Sequence, residues 1–380
     1  MSNQEKAPVR IGIIGVGQIG KMHLDRYREI PGAQVVAACD VNGAEAARVG
    51  ELYGIPHTYT DFRQLLERDD IDAVDVCLHN NFHAPVTIEA LRAGKHVYCE
   101  KPIAGSYADG KAMLEAAEET GRLLHIQLST LYRKETKAAK TLIDGGKLGK
   151  LYHARSTGFR RRHRPYVDGY GTPYFTRKET AAGGALLDMG VYHIAQMLYL
   201  LDNPQVKRIS GKVYQEIEML AERRELSGFN VEELGLGFIK FAGGLTLDLI
   251  EAWAVHSGSF EGGSVFGSLG GVRLPAEGPG GQKQPFSFHR TESDMDLDST
   301  LDLDLMDLRW HRIRENEDAY DSSQHHWIAA LQGRVPLLAT AEIALQTMLI
   351  SEGIYLSDAQ DREVTADEVA ALSVSQAVTV

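Results

Sequence analysis

The segment GIIGVGQIGKMH, residues 12–23, constrains the fold of this chain most. It sets Gly15, Gly17 and Gly20 as GxGxxG between a β-branched run, Val9 to Gly15, and a stretch of helical spacing, Ile19 to Ile30. A second strand-like run, Gln34 to Cys39, leads into Asp40, twenty residues after Gly20. Strand, glycine turn, helix and an acidic residue at that distance make the pattern of a dinucleotide-binding βαβ unit. Gly15 permits the tight turn, Gly17 lets the backbone approach a pyrophosphate, and Gly20 lets helix and strand pack closely. The helix start at Gln18 and Ile19 offers N–H groups and partial positive charge to phosphates. Asp40 is placed to accept hydrogen bonds from ribose hydroxyls and to repel a 2′-phosphate, so NAD is expected in preference to NADP. A turn of purely structural purpose is the plainer alternative.

Strand and helix signals keep alternating. Ala44 to Tyr53 reads as a helix closed by Gly54 and Pro56, followed by a strand at His57 to Tyr59 and a helix at Phe62 to Glu67. Strands at Ala73 to Leu78, His96 to Cys99 and Leu123 to Leu128 enclose helices at Pro85 to Ala93 and Tyr107 to Thr120. This order predicts an α/β fold, an N-terminal Rossmann domain with a doubly wound parallel sheet over residues 1–128. From Ser129 the grammar changes. A helix at Lys134 to Asp144 precedes alternating stretches at Tyr152 to Thr157, Val206 to Gln215, Leu234 to Phe241 and Leu245 to Ala254. A C-terminal α+β domain on a mostly antiparallel sheet is expected over residues 129–380, with a loop at Pro275 to Gln284 and late helices at Gln324 to Leu331 and Ala341 to Leu356. Asp294 to Asp307 alternates acidic and apolar residues. It reads either as a half-buried edge strand with a solvated acidic face or as a surface for a basic partner or a metal.

The length, 380 residues, suits two domains, and 43% hydrophobic with 24% charged residues is an ordinary globular composition. A net charge of −12 argues against nucleic acid and anionic membrane as partners. Cys39, Cys77 and Cys99 each end an apolar run and read as free thiols of a reducing compartment. Met1 to Arg10 is polar, without a signal-peptide core, and no apolar run reaches the roughly 18 residues of a bilayer span. A cytoplasmic protein is expected.

Three further clusters carry chemistry. Glu100, Lys101 and Pro102 follow the fifth strand directly, and ligands of open α/β sheets bind beyond the carboxyl ends of strands. A lysine there would face a nicotinamide, whose positive charge, with desolvation, is predicted to lower its pKa toward useful proton transfer; a surface lysine fits the position equally. In GGALLDMGVYHIAQ, residues 183–196, Asp188 and Tyr192 are four apart and share a helical face. His193 points away from Asp188 by about 140°. Asp188 suits holding a substrate hydroxyl, and Tyr192 or His193 suits relaying a proton. Arg160, Arg161, Arg162, His163 and Arg164 form a run in which Arg161 and Arg162 are candidates for an anionic group on the substrate; a solvated loop or a subunit contact is the other reading. His153, His163, His256, His325 and His326 show no metal-ligand spacing, and no metal is expected.

These motifs, with ACDVN at 38–42, HAPVTIEALRAGKHVYCEKPIA at 83–104, LIDGGKLGKLYHARS at 142–156, AGGALLDMGVYHIAQMLYLL at 182–201 and GSLGGVRL at 267–274, resemble the Gfo/Idh/MocA family. The resemblance implies a Rossmann domain followed by a domain with a large open sheet, and NAD(P)-dependent oxidation or reduction of a secondary hydroxyl on a sugar or cyclitol. Lys101 matches the family's catalytic lysine and Asp188 its substrate-binding aspartate. Tyr192 stands where many members carry the relay histidine, with His193 beside it, so the relay stays open between them. Members usually show Thr-Pro-Asn before the position of His83; this chain has His79, Asn80 and Asn81. His79, Asn80, His83 and Glu100 therefore join the expected cofactor contacts, and Lys101, His193, Arg161, Arg162 and Asp188 the substrate contacts. The partner implied is a sugar or polyol, within a homodimer or homotetramer built through the C-terminal sheet. Two alternatives stand beside this reading: transient oxidation without net redox, and a nucleotide-sensing regulatory protein.

Overall fold

The computed structural model describes residues 7–277 and 283–380. Six strands, β1 (Val9–Ile14), β2 (Ala33–Cys39), β3 (His57–Tyr59), β4 (Ala73–Val76), β5 (His96–Cys99) and β6 (Leu124–Ile126), form a parallel sheet in the order β3-β2-β1-β4-β5-β6. The connecting helices are α1 (Gln18–Glu29), α2 (Gly43–Tyr53), α3 (Phe62–Leu66), α4 (Asn80–Arg92) and α5 (Tyr107–Thr120). Nearly every residue of β1 and β4 is buried, as strands covered on both faces must be. Register does the positioning. Ile14 lies opposite both Cys39 and Val76, and Cys99 lies opposite Val76. Gly15, Asp40, Cys77 and Glu100 therefore leave the sheet along one edge.

Helix α4 starts five residues before the expected Pro85, which lies inside it. Proline has no N–H for the Asn81 carbonyl, and Val378 N–H from the C-terminal segment takes that oxygen at 3.2 Å.

The remaining elements are α6 (Lys134–Asp144), β7 (Leu151–Phe159), α7 (Lys178–Ala181), α8 (Val191–Leu200), β8 (Val206–Tyr214), α9 (Ala221–Ser227), β9 (Leu234–Phe241), β10 (Thr246–Ala252), β11 (Ser264–Gly267) and β12 (Gly271–Arg273). After these come β13 (Ala276–Glu277), β14 (Lys283–Gln284), β15 (Ser287–Glu292), β16 (Met295–Thr300), α10 (Leu303–Ile313), α11 (Ser323–Leu331), α12 (Thr340–Gln360), β17 (Val364–Thr365) and α13 (Ala366–Leu372). Nine strands make an open sheet in the order β16-β15-β12-β11-β7-β10-β9-β8-β17. Its pairs are antiparallel except β7 with β10. Helix α12 covers part of one face, where Ile354 packs on Gly211. The other face carries a shallow concavity of about 700 Å³ bordered by Thr157, Phe238, Asp248 and Phe260.

Sequence order and spatial order part at the end of the chain. Trp327 and Ile328 of α11 pack with Val9, Ile11 and Tyr27, and Thr340 Oγ1 accepts the Ile126 N–H at 3.0 Å. Residues far beyond 128 thus complete the N-terminal core.

Two local expectations are corrected. Asp294 to Asp307 is not one strand: β16 is an exposed edge strand, and Asp302 then caps α10 by accepting the Leu305 N–H at 2.9 Å. The ends of the expected loop Pro275 to Gln284 pair as β13 and β14, and its middle, like the first six residues, lies outside the described residues. Among the described residues no helix is long and apolar enough to cross a membrane.

Candidate active site

The glycine turn is built from close approaches. Gly15 has φ +90°, and a Cβ there would lie 2.3 Å from the Cys77 carbonyl oxygen. A Cβ on Gly20 would lie 2.1 Å from the Gly15 carbonyl oxygen. At Gly17, by contrast, a Cβ meets nothing within 4 Å. The open space lies just where α1 begins, and no side chain caps that helix. Gln18 and Ile19 are exposed in its first turn. The Asp40 carboxylate is held beside the turn, accepting the N–H of Val16 at 3.0 Å and of Asn42 at 2.9 Å. Arg48, the nearby cation, is paired with Glu45 at 2.8 Å. Uncapped N–H groups, free space and a fixed carboxylate fit a dinucleotide with unmodified ribose hydroxyls.

Lys101 leaves the end of β5 and reaches a residue of the second domain. Its Nζ donates to Asp188 Oδ1 at 2.9 Å and to the Asp188 backbone carbonyl at 2.8 Å. The same ammonium lies 4.9 Å from the centre of the Tyr192 ring, a cation–π distance. Asp188 Oδ2 accepts from Trp253 Nε1 at 3.0 Å and faces Arg160 Nη1 at 3.5 Å. Arg160 in turn donates to the Tyr170 hydroxyl.

A π-helical turn, Leu186–Gly190, presents Asp188 before α8 begins. Glu232 fixes that turn from behind. Its carboxylate accepts the N–H of Gly184 at 2.8 Å and of Leu186 at 2.9 Å, together with the Tyr355 hydroxyl at 2.8 Å. A Cβ on Gly184 would lie 2.0 Å from the Glu232 carbonyl oxygen, which explains glycine at that position.

The residues of the pocket act against the lowering of the Lys101 pKa expected from desolvation and a nicotinamide's charge. Burial pulls the ammonium down, but Asp188, Tyr192 and Glu100 outweigh it and the pKa is raised. Asp188 shows the matching effect: burial pushes its carboxyl up, and Lys101 holds it below the usual range. Burial, with the negative field of Asp188, pushes Tyr170 up to about 12, and burial pushes Tyr192 up to about 12. Resting Lys101 is therefore an ammonium and both tyrosines are phenols.

Other expected residues fall elsewhere. His193 is half-buried against the open sheet, its Nδ1 2.9 Å from Glu251 Oε2, while Tyr192 faces Lys101. Within the arginine run, Arg160 is the member that contacts Asp188. Arg161 and Arg162 are exposed, with Arg162 3.9 Å from Asp168, and Arg164 is buried between Asp168 and Glu233. His79 stacks on Tyr174 at 4.6 Å, and Asn80 Nδ2 donates to the Ala181 carbonyl at 2.7 Å, so this loop meets a segment of the second domain. His83, expected at the cofactor, is fully buried, with the Pro102 and Leu78 carbonyls at 2.7 and 3.0 Å from its ring nitrogens. Burial lowers its pKa while the two carbonyl contacts raise it, and the ring supports the loop from behind. Glu100 also looks inward, toward His23 at 2.8 Å.

Tyr170, Trp253 and His23 were not singled out from the sequence. His23 sits in the glycine motif three residues after Gly20, at the interior spacing of Leu24 and Tyr27, and that spacing was its only signal.

Residues 9–128 match the model of an oxidoreductase family with an NAD-binding Rossmann fold, and residues 136–273 match the GFO/IDH/MocA C-terminal domain. D-glucoside 3-dehydrogenase of Escherichia coli (strain K12) is 30% identical over 261 residues, 67% of this chain and 73% of that protein. Inositol 2-dehydrogenase of Salmonella typhimurium is 35% identical over 152 residues, 39% of this chain and 45% of that one. A solved structure of levoglucosan dehydrogenase with NADH and levoglucosan shares the fold, with a TM-score of 0.76 at 21% identity over 94% of this chain and 99% of that one.

Proposed function

This chain belongs to the Gfo/Idh/MocA family of NAD-binding oxidoreductases, and from that premise we propose that it oxidises, or in reverse forms, a secondary hydroxyl on a sugar or cyclitol. The observation that carries the reading is the Lys101–Asp188 pair at the carboxyl end of β5, on the edge of the sheet where the glycine turn and Asp40 also lie. The names of the glucoside and inositol dehydrogenase relatives support the substrate class.

Gly15, Gly17, Gln18 and Ile19 would hold the pyrophosphate and Asp40 the adenine ribose of NAD, with His79 and Asn80 at the mouth. NAD, when bound, supplies the hydride acceptor or donor. In the oxidation direction neutral Lys101 removes the proton from the substrate hydroxyl; in reduction its ammonium returns one. Asp188 accepts a hydrogen bond from the substrate and holds the Lys101 side chain in place. Tyr192 walls the pair, and Arg160 with Tyr170 forms the rim on the far side of Asp188. Phe175 borders the same small cavity and offers apolar surface to a sugar ring, backed by the buried Trp253. A second copy docking on the exposed sheet face at Phe238 and Phe260 is the proposed route to an oligomer.

A panel of sugars and cyclitols incubated with NAD, followed by NADH absorbance, tests this. NADH formation with one member of the panel supports the proposal. NAD binding without conversion of any of them contradicts it.

A further inference from the structure

We propose that His23 is a positioning residue: as an imidazolium bonded at both ring nitrogens, it ties the helix that opens at the glycine turn to Glu100, and so fixes the backbone from which Lys101 projects. The inference rests on the role proposed for Lys101.

His23 lies one turn into α1, on its buried face. Its Nδ1 is 2.9 Å from Asp75 Oδ2, on β4, and its Nε2 is 2.8 Å from Glu100 Oε1, just after β5. An ionised carboxylate only accepts hydrogen bonds, and a neutral imidazole has a single N–H. A neutral ring would aim a lone pair at one of the two carboxylates, whereas the imidazolium donates to both. The other Glu100 oxygen, Oε2, accepts the Lys101 backbone N–H at 3.0 Å. A continuous series of contacts therefore runs from α1 through His23 and Glu100 to Lys101 and on to Asp188.

The surroundings hold this charge state. Cys77 Sγ is 3.2 Å from Nδ1 and donates to Asp75 Oδ1 at 3.3 Å. Tyr98 meets the ring edge-on at 5.6 Å, and Tyr27, His83, Cys99, Lys101 and Tyr192 are the other titratable groups facing the cluster. Burial pulls the His23 pKa down, and Asp75 and Cys77 push it well above the ordinary value. Burial pushes Glu100 up, and His23 brings it below the ordinary value. The donor atoms of His23, Asp75 and Cys77 all lie within 4.8 Å of one another, and hydrogen bonding accounts for that grouping. The helix facing the pyrophosphate and the proton-transfer lysine are thereby held as one unit, so a loosened His23 would misalign Lys101 without emptying the nucleotide site.

Two measurements test this. Histidine-selective 15N NMR of the full chain, with His23 assigned by its loss in His23→Gln, should show both ring nitrogens protonated at pH 8; one unprotonated nitrogen there overturns the proposal. The second is a double-mutant cycle on kcat. His23→Gln should lower kcat by on the order of 10²-fold, the cost of a small misplacement, with NAD affinity kept within about twofold. In a Lys101→Met background the same change should cost less than about twofold, because groups acting as a unit are not additive. Equal losses in both backgrounds indicate a general structural role and overturn the proposal. Should His23→Gln fail to fold, Glu100→Gln replaces it: it keeps an acceptor for the Lys101 N–H, and should release one His23 ring proton and show the same non-additivity. Lys101→Met alone reports on the lysine, and the NMR needs no turnover, so failure of the proposed reaction and failure of the His23 assignment give different results.

Discussion

Lys101 gives two hydrogen bonds to a single residue, Asp188, one to its carboxylate at 2.9 Å and one to its backbone carbonyl at 2.8 Å. Lys101 follows β5 of the parallel sheet, Asp188 lies in the π-helical turn before α8, and the two are 87 apart in sequence. Their pairing holds Lys101 charged against the pull of burial.

A pH dependence follows from that balance. Oxidation needs Lys101 neutral, and its pKa is raised, so the oxidation rate of the wild type should climb as pH rises. Asp188→Asn removes the largest influence that keeps the ammonium, leaving Tyr192 and Glu100 alone to oppose burial, which lowers a lysine pKa. The rising limb of kcat against pH should then move to lower pH, with KM increased. A limb that stays in place or moves up contradicts the pairing as the source of the shift.

Arg160 should matter to substrate more than to cofactor. It touches Asp188 and Tyr170 beyond the side that Lys101 occupies. Hydrogen bonds to charged groups contribute about 1.5–3 kcal/mol, so Arg160→Ala should raise KM for the sugar roughly tenfold or more. Calorimetric titration should find NAD affinity unchanged; a parallel loss of NAD binding would move Arg160 to the cofactor.

The glycine turn and Asp40 were legible in the sequence because their chemistry is local: GxGxxG and the acid at the end of the second strand lie within one βαβ unit. The strands and helices of the first domain were legible for the same reason, through periodicity and stop signals. Trp253 and Glu232 were not, and of the arginine run the sequence did not show that Arg160 is the member at Asp188, because each contact is made across the second domain's fold, where no spacing along the chain foretells it. The direction of the Lys101 pKa also depended on Asp188 lying within hydrogen-bond distance, which the sequence does not encode locally. The acidic alternation after Asp294 misled over its second half because a capping aspartate and the start of a helix repeat the same residue types as an edge strand.

Cofactor choice rests on Asp40. Asp40→Ala loses the ribose acceptor and also frees the Val16 and Asn42 N–H groups. NAD should bind roughly tenfold to a hundredfold more weakly, the equivalent of about 1.5–3 kcal/mol, and the gap to NADP should narrow. Paired titrations with both dinucleotides check this, and a wild type that prefers NADP contradicts it.

Arg164 belongs to stability. It is buried and bonded to Asp168 and Glu233, both at 3.0 Å. Arg164→Met strands two carboxylates and should cost about 3–5 kcal/mol, read by urea unfolding. A loss below about 1 kcal/mol would mean that water replaces the guanidinium.

The central claim is that Lys101 transfers the proton. Lys101→Met keeps the length and apolar bulk of the side chain and removes the ammonium, leaving Gly15 to Gly20 and Asp40 untouched. Steady-state kinetics on a converted sugar, with NAD affinity measured in parallel, should show kcat reduced by roughly 10²–10⁴-fold, the usual share of general acid–base catalysis, and NAD bound as before. A kcat close to that of the wild type, with NAD still bound, would mean that the proton leaves by another group and that the Lys101–Asp188 pair is not the acid–base centre.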